Sequence, residues 1–269
     1  MEYLQGQVFE SYSSHNLRRL SGELPEKESS KAVVEILRPV LTPGEEILEV
    51  GCSVGHLART LGRLNLNLKY TGVDIDHYAV NRGIEYLQKN HLFGIQSASL
   101  IHAEAESLPF EDNSFQTVIS LNLLEHLKQP AKAIREFLRC SNKYLLMRTL
   151  MSDQTFIVQE VRNSNHKHLG YEHLELPSPK DELDEYGVPK VFVYQNVYSL
   201  EFIRGIVEGG GKAKTCEIFE DSMFSQEAFD IDNKLSSLPR KTQVIEGKQV
   251  RGLFIDTNHW IMIEKEQTN

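Results

Sequence analysis

The sequence predicts an α/β fold with a parallel sheet covered by helices on both faces. Five short apolar runs between Glu46 and Leu150 alternate with amphipathic helical segments, which is typical of parallel strands joined by helical crossovers. The first apolar run feeds a glycine-containing turn and a helix in "EVGCSVGHLA", residues 49–58. Ligands of open α/β sheets bind at the carboxyl ends of strands, so this turn indicates where the site lies.

Each element follows from its own pattern. A helix is predicted from Lys31 through "KAVVEILRPVL", whose apolar residues fall on one face, with its N-cap at Ser29 or Ser30. The strand-like runs that follow are "EILEV", "KYTGVDI", "SLIHAEA", "TVISLN" and "YLLMRTL". The alternation stops after Leu150, and a helix with its N-cap at Ser199 resumes it. Two late strands, "KAKTCEIFED" and "HWIMIEK", then flank a polar segment.

A length of 269 residues fits one elaborated domain, and we expect a single domain in four parts. Residues 1–30 form an N-terminal cap segment, and residues 31–150 form the ligand-binding core. Residues 151–195 are too polar and proline-rich for a buried element and too long for an ordinary connection, so they are expected to cover the site. Residues 196–269 complete the sheet, and their polar excursion is either an arm of a homodimer or another wall of the pocket.

Composition argues against several classes of protein. A net charge of −9 at pH 7 disfavours a general nucleic-acid-binding protein, which usually carries a basic face. No apolar run reaches the length of a membrane span, and the first residues lack the pattern of a secretory signal. The three cysteines include no C-x-x-C pair, which indicates reduced thiols. We therefore expect a cytoplasmic protein with no nucleic-acid or membrane partner.

Two features of the core point to a nucleoside-containing ligand. Gly51 and Gly55 let the backbone of the first turn approach a ligand closely, because neither carries a Cβ. Asp74 ends the second strand, where its carboxylate can accept hydrogen bonds from both hydroxyls of a ribose. These features fit any cofactor with an unphosphorylated ribose and do not choose between a dinucleotide and another adenosyl ligand.

A third block narrows the choice of cofactor. "AEAESLPFEDNSFQTVISLNLLEHL", residues 103–127, resembles the corresponding stretch of class I S-adenosylmethionine-dependent methyltransferases, particularly the small-molecule group of methyltransferase type 11. "EVGCSVG" and "VDID" precede it in the order of that family, so the resemblance covers about 100 residues. It implies a Rossmann-like, mostly parallel seven-stranded sheet with an antiparallel last strand. It also implies S-adenosylmethionine as methyl donor and a small-molecule acceptor.

The resemblance further implies which residues would contact the cofactor. They lie at or just beyond the ends of predicted strands and are Glu49, Gly51, Cys52, Gly55, Asp74, Ile75, Glu104, Ala105, Leu121 and Asn122. Glu49 would lie near the ammonium group of the methionine moiety, and Asp74 would hold the ribose. Ile75 would pack on the adenine ring, which Glu104 and the amide of Ala105 would hydrogen-bond.

Three positions depart from the family pattern. Ser53 replaces the middle glycine of the loop, which is tolerable because this cofactor has no pyrophosphate for the backbone to approach. Glu104 is one methylene longer than the usual aspartate, so its adenine contact is the weakest of the implied roles. Gln116 replaces an aspartate at the start of the fourth strand, away from the sulfonium. Leu121 and Asn122 would contact the cofactor through their backbone.

The sequence assigns no catalytic residue, and His126, His166 and His168 are the candidates. A hydroxyl or poorly nucleophilic amine acceptor would need a base, a role that histidine suits near neutral pH. The family commonly carries a histidine at the position of His126 whatever the acceptor, which favours packing or loop support there. His166, His168 and His173 have neither an HExxH helix nor cysteine partners, so solvated or substrate-facing side chains are favoured over a metal site.

Two other hypotheses for the function stay open. A cofactor-binding module without turnover would keep the same loop and the same Asp74. A nicotinamide-dependent oxidoreductase is disfavoured because the loop lacks G-x-G-x-x-G. The N-terminal residues Tyr12, His15, Arg18 and Arg19 are either part of a solvated helix face or close to the cofactor, where an arginine would pair with the methionine carboxylate.

Overall fold

The computed structural model describes residues 7–157, 159–161, 192–210, 213–221, 242–245, 248–251 and 254–266. Its α-helices are α1 (Gln7–Ser21), α2 (Glu28–Leu37), α3 (Leu57–Leu61), α4 (His77–Lys89), α5 (Pro130–Cys140) and α6 (Leu200–Gly209). Its strands are β1 (Glu46–Val50), β2 (Leu68–Asp74), β3 (Ile95–His102), β4 (Phe115–Leu121), β5 (Ser141–Met151), β6 (Gln159–Val161), β7 (Phe192–Tyr194), β8 (Ala213–Glu220), β9 (Thr242–Ile245), β10 (Lys248–Arg251) and β11 (Phe254–Lys265). Short 3₁₀ turns lie at Gly62–Leu64 and Leu124–His126.

The main sheet has the strand order β3-β2-β1-β4-β5-β11-β8. Strands β1 to β5 pair in parallel, whereas β11 is antiparallel to both β5 and β8. The predicted mostly parallel seven-stranded sheet with an antiparallel last strand is therefore confirmed. The order reverses between β1 and β4, so the carboxyl ends of β1, β2 and β4 flank the crevice where an α/β sheet binds ligands.

A hairpin extends the sheet beyond the predicted seven strands. β10 pairs with the first residues of β11, Phe254–Asp256, and β9 pairs with β10. This hairpin lies within the late segment that the sequence analysis interpreted only as a polar excursion. Residues 222–241, which precede the hairpin in that segment, lie outside the described part of the chain.

Helices cover both faces of the sheet, because successive strand residues point to opposite sides. Leu48 packs in a cluster with Phe137 of α5 and Ile203 of α6. Ile47, its neighbour in β1, packs in a second cluster with residues of α1 to α4, among them Leu57. Each fully buried large apolar side chain contributes about 1.5–3 kcal/mol, so the two layers together hold the strand ends in place.

The structure corrects one predicted boundary and confirms another. Helix α2 begins at Glu28 with Lys27 as its N-cap, three residues before the predicted start, and no side chain caps it. Ser30 is instead buried inside the helix. At the other end of the chain, Ser199 caps α6 as predicted, since its hydroxyl accepts a hydrogen bond from the amide of Phe202 at 3.2 Å.

The long excursion after β5 has an ordered base. β6 and β7 pair as an antiparallel ribbon, and Phe156 pairs with Val197 just outside it. Met151, the last residue of β5, pairs with Tyr198, so both ends of the excursion lie at the carboxyl end of β5. Residues 162–191 between β6 and β7 lie outside the described part. No helix in the described residues is both long and apolar enough to cross a membrane.

Candidate active site

The loop between β1 and α3 turns sharply because two glycines adopt conformations that other residues rarely do. Gly51 has φ 86° and Gly55 has φ 76°. A Cβ on Gly55 would lie 2.8 Å from the Leu100 side chain, and one on Gly51 would lie 3.2 Å from Leu123. The amides of Gly51 and Cys52 both donate to the carbonyl of Val73, which ties the loop to β2.

Ser53, the residue in place of the middle glycine, also has a left-handed backbone, with φ 53°. This conformation costs a non-glycine residue roughly 1–2 kcal/mol, and hydrogen bonds offset it. The Ser53 amide donates to Asp74 Oδ2 at 2.6 Å, and the Ser53 hydroxyl accepts from Asn16 Nδ2 of helix α1 at 3.2 Å. The serine therefore joins the loop to the N-terminal helix, a bond that glycine cannot make.

Asp74 is fixed in one orientation by backbone amides. Its Oδ2 accepts from Ser53, and its Oδ1 accepts from the amide of Asp76 at 2.9 Å. Each carboxylate oxygen can accept more than one hydrogen bond, so both still have capacity for a diol. Burial raises the pKa of this carboxyl above its ordinary value. Ile75, the next residue, exposes 37% of its surface and offers an apolar face beside the carboxylate.

Glu49 lies on the other side of the loop and is almost completely buried. Its side chain accepts a hydrogen bond from the Tyr70 hydroxyl, and only 2% of the residue is exposed. Burial raises the pKa of Glu49 to about 8, although the Tyr70 hydroxyl and the positive charge of Lys27 act in the opposite direction. A buried carboxyl of this kind is a strong partner for a cation, because little water screens it.

Basic residues from the N-terminal part of the chain surround the start of α3. Burial, followed by the charges of Lys27 and Arg19, holds the pKa of His56 well below its usual range. Arg19 is buried, whereas Arg18 is exposed and pairs with Glu23 at 3.2 Å. Of the two arginines that the sequence analysis considered, the structure therefore brings Arg19 to the loop.

Lys27 was not singled out by sequence reasoning, yet its charge acts on both Glu49 and His56. The signal that could have found it is its position directly before helix α2, which packs on the same face of the sheet as the loop.

The remaining predicted cofactor residues lie at the ends of β3 and β4. Ala105 is buried and Glu104 is exposed, and the carbonyl of Glu104 accepts from Ser107 in a turn. Leu121 is half-buried, and Asn122 follows it with φ 53°. Because adjacent strands of the parallel sheet end side by side, all ten predicted residues lie along one edge around the crevice.

Asn122 makes bonds that limit how it can contact a ligand. Its amide donates to the carbonyl of Arg148 at 2.9 Å, and its side-chain oxygen accepts from the Arg148 guanidinium. Arg148 also pairs with Asp221 at 2.6 Å, and both side chains are nearly buried. Since its amide already has an acceptor, the backbone contact predicted for Asn122 has to use its carbonyl oxygen.

Of the candidate histidines, the structure describes His126. It is exposed on the 3₁₀ turn after β4, and its Nδ1 lies 3.1 Å from the carbonyl oxygen of Tyr194 at the end of β7. A carbonyl only accepts, so Nδ1 carries a proton, and in the neutral form of the ring Nε2 has the lone pair. His166, His168 and His173 lie outside the described residues. Within the described ranges, no group of three potential ligands could hold a metal ion.

Comparisons with known proteins agree with this geometry. Residues 48–143 match the family model described as a methyltransferase domain. The cycloartenol-C-24-methyltransferase of Arabidopsis thaliana is 29% identical over 100 residues, which cover 37% of this chain and 29% of that protein. The fatty-acid O-methyltransferase of Mycolicibacterium smegmatis is 31% identical over 108 residues, covering 40% of this chain and 34% of that protein. The chain spans about a third of the length of the curated relatives it matches.

Solved structures share the fold across nearly the whole chain. The crystal structure of the [4+2]-cyclase SpnF superposes with a TM-score of 0.56 at 15% identity, covering 97% of this chain and 96% of that chain. Identity this low shows a common fold and not a common reaction. Residues 48–143 therefore match a methyltransferase domain, and the strand order and the loop agree with the fold of class I S-adenosylmethionine-dependent methyltransferases. S-adenosylmethionine is the cofactor of this class.

Proposed function

We propose that the protein transfers the methyl group of S-adenosylmethionine to a small-molecule acceptor and releases S-adenosylhomocysteine. The observation that carries this proposal is Asp74, held by two backbone amides beside the exposed Ile75 and within the matched domain. When bound, the cofactor supplies a methyl group on a positively charged sulfur. The contribution of the protein is then to orient the two reactants and to exclude water.

The adenosine half of the cofactor fits the ends of β2 and β3. Asp74 would accept hydrogen bonds from both ribose hydroxyls, and Ile75 would pack on one face of the adenine. Glu104 and the amide of Ala105 would address the edge of the adenine ring. The side chain of Glu104 is exposed, so it can reach outward to the exocyclic amine.

The methionine half fits the other side of the loop, where an acidic residue and two basic residues lie near one another. The buried carboxyl of Glu49 would receive the ammonium group. Lys27 and Arg19 are the cations whose fields reach this region, and they would receive the carboxylate. Helix α1 also bonds to the loop through Asn16 and to α4 through Ser14, which supports a capping role for residues 1–30.

The acceptor is proposed to lie at the carboxyl ends of β4 and β5, beneath the excursion of residues 151–195. Both ends of that excursion meet the sheet there, and the bond between His126 and Tyr194 fastens its base to the turn after β4. Loop support is thus the first role of His126. The lone pair on Nε2 gives it a second one, because a base there could take a proton from a hydroxyl or ammonium acceptor.

Transfer of a labelled methyl group tests this function. The purified protein is incubated with methyl-labelled S-adenosylmethionine and a panel of alcohols, carboxylic acids, amines and alkenes, and S-adenosylhomocysteine release is measured. We expect release with one acceptor class, and Asp74→Asn should lower that release about 10- to 100-fold when the cofactor is subsaturating. Binding of the cofactor without release, across the whole panel, would instead favour a module that binds and does not turn over. For a hydroxyl acceptor, His126→Asn should lower kcat/KM by about 10²- to 10⁴-fold, the usual contribution of a general base, with cofactor affinity unchanged.

A further inference from the structure

The hydrogen bond between Tyr70 and Glu49 has no part in the roles assigned so far. The Tyr70 hydroxyl donates to Glu49 Oε2, and the two residues are 1% and 2% exposed. The Tyr70 ring contacts the loop between β1 and α3, because its edge lies 3.5 Å from the position that a Cβ of Gly55 would take. A buried phenol that meets a buried carboxyl under the loop is placed to control the orientation and protonation of that carboxyl.

The strand register explains how these two side chains meet. Glu49 of β1 lies opposite Gly72 of β2, and Ile47 lies opposite Tyr70. Tyr70 and Gly72 are two residues apart and face the same side of the sheet. The Tyr70 side chain extends along this face to the Glu49 carboxyl, and the missing side chain of Gly72 leaves room for Cys52 and Leu100, which lie 2.7 Å and 2.6 Å from where its Cβ would stand.

Several charged or titratable groups face Glu49. They are Tyr70 and Asp74 of β2, Cys52 of the loop and Lys27 at the start of α2; the charges of Lys27 and Arg19 also act on His56. Burial raises the pKa of Glu49 to about 8, the Tyr70 bond and Lys27 lower it, and Asp74 raises it. The carboxyl therefore holds a proton in most molecules of the free protein near pH 7.

We propose that Tyr70 is a positioning residue for Glu49, and that the pair accepts the cofactor's ammonium group by releasing one proton to solvent. The O–H bond of the Glu49 carboxyl breaks and its proton passes to the buffer. The ammonium group keeps its three protons and donates to the new carboxylate, while Tyr70 keeps its own proton and continues to donate to Oε2. This inference rests on the proposed function, because it requires the methionine half of the cofactor to lie at Glu49.

Calorimetric titration with S-adenosylhomocysteine tests the proposal without any turnover. The binding enthalpy is measured at pH 7 in phosphate and in Tris, whose ionisation enthalpies differ, so that their difference counts the protons released. We expect the wild type to release between about 0.5 and 1 proton per site. Glu49→Gln has no proton to lose and should release close to none.

Tyr70→Phe gives the second arm of the test. Without the hydroxyl the pKa of Glu49 rises further, so binding should weaken about 3- to 10-fold at pH 6.5, with the loss shrinking toward pH 8.5. Tyr198→Phe is the matched control, because it removes another buried hydroxyl that donates to the carbonyl of Leu124. That variant should keep the wild-type proton count.

The possible outcomes distinguish failure of the Tyr70–Glu49 inference from failure of the proposed methyl transfer. Tight wild-type binding with no proton release, or equal release by Glu49→Gln, would overturn the inference and leave the proposed function standing. A Tyr70→Phe loss that is constant with pH would also overturn it, since a merely structural role gives that result. If Tyr70→Phe does not fold, the proton counts of the wild type and Glu49→Gln still decide. Absence of S-adenosylhomocysteine binding to the wild type would overturn both.

Discussion

Asp74 makes two backbone hydrogen bonds that only a carboxylate can accept together, one through each oxygen. In Asp74→Asn the amide nitrogen would face one of those N–H groups, so one bond is lost and a ribose hydroxyl loses its acceptor. We expect cofactor affinity to fall 10- to 100-fold, in line with about 1.5–3 kcal/mol for hydrogen bonds to a charged group. Equilibrium dialysis with labelled S-adenosylmethionine measures this loss.

Asp76→Asn is the matched control for that variant. Asp76 caps α4 by accepting from the amides of Tyr78 and Ala79, and asparagine is an equally good cap. Its affinity should stay within about twofold of wild type, since the cap is kept. Equal affinities of Asp74→Asn and Asp76→Asn for S-adenosylmethionine would show that Asp74 does not bind the cofactor.

Gly55 is required by its backbone angle and by the space around it. Gly55→Ala would place a methyl group 2.8 Å from Leu100 at φ 76°, so a loss of at least roughly 1–2 kcal/mol in unfolding free energy is expected. Gly205→Ala in α6 meets nothing within 4 Å and should stabilise the protein by up to about 1 kcal/mol. Urea denaturation of both variants checks this, and a Gly55→Ala as stable as Gly205→Ala would be inconsistent with the loop geometry.

The buried carboxyl of Glu49 predicts a particular pH dependence of stability. Its folded-state pKa of about 8 lies above its ordinary value of 4.5, so the folded protein holds more protons than the unfolded chain between these two values. The contribution of Glu49 to stability is then lost as pH rises through that window, by up to about 5 kcal/mol. The free energy of unfolding of Glu49→Gln should therefore increase relative to that of the wild type from pH 5 to pH 8. Parallel curves over that range would show that Glu49 is ionised in the folded protein.

Among the elements, β4, β5 and β8 are joined at their carboxyl ends by Arg148 rather than by backbone pairing alone. Its guanidinium bonds to Asp221 after β8 and to Asn122 after β4. Arg148→Met would break this nearly buried ion pair, at a cost of about 3–5 kcal/mol. The exposed strand-to-strand pair of Lys69 and Glu46 is the control, and Lys69→Met should cost less than about 1 kcal/mol. Similar chemical denaturation midpoints for the two variants would contradict the role given to Arg148.

Periodicity accounts for the elements that the sequence predicted. The alternation of short apolar runs with amphipathic helices reports burial on two faces, which is why the parallel core and the two late strands were found. The β9–β10 hairpin was missed because "TQVI" and "KQVR" are short and polar, and their pairing with β11 is a long-range contact. The N-cap of α2 was misplaced because two serines gave a stronger local signal than Lys27.

At the site, sequence could place residues on strand ends but could not place partners across strands. The sequence could place Gly51, Gly55 and Asp74 at strand ends because glycine spacing and an acidic residue at the end of a strand are local signals. The bond from Tyr70 to Glu49, the Asn16 contact with Ser53 and the Arg148 network depend on register and on packing between distant segments. No local pattern carries that information.

For the whole molecule, one fold does not determine one reaction. The same architecture serves a cyclase in a solved structure, and the curated relatives are named for methylation at a carbon in one case and at an oxygen in the other. In this chain the loop has the Asp74 carboxyl on one side and the buried Glu49 with nearby cations on the other. The central claim is therefore that S-adenosylmethionine lies across this loop.

A crystal structure grown with S-adenosylhomocysteine tests that claim most directly. We predict the two ribose hydroxyls within hydrogen-bond distance of the Asp74 carboxylate, the adenine against Ile75 and the ammonium group beside Glu49. Density for S-adenosylhomocysteine at any other place would contradict the account. So would crystals that show NAD at this loop but no S-adenosylhomocysteine.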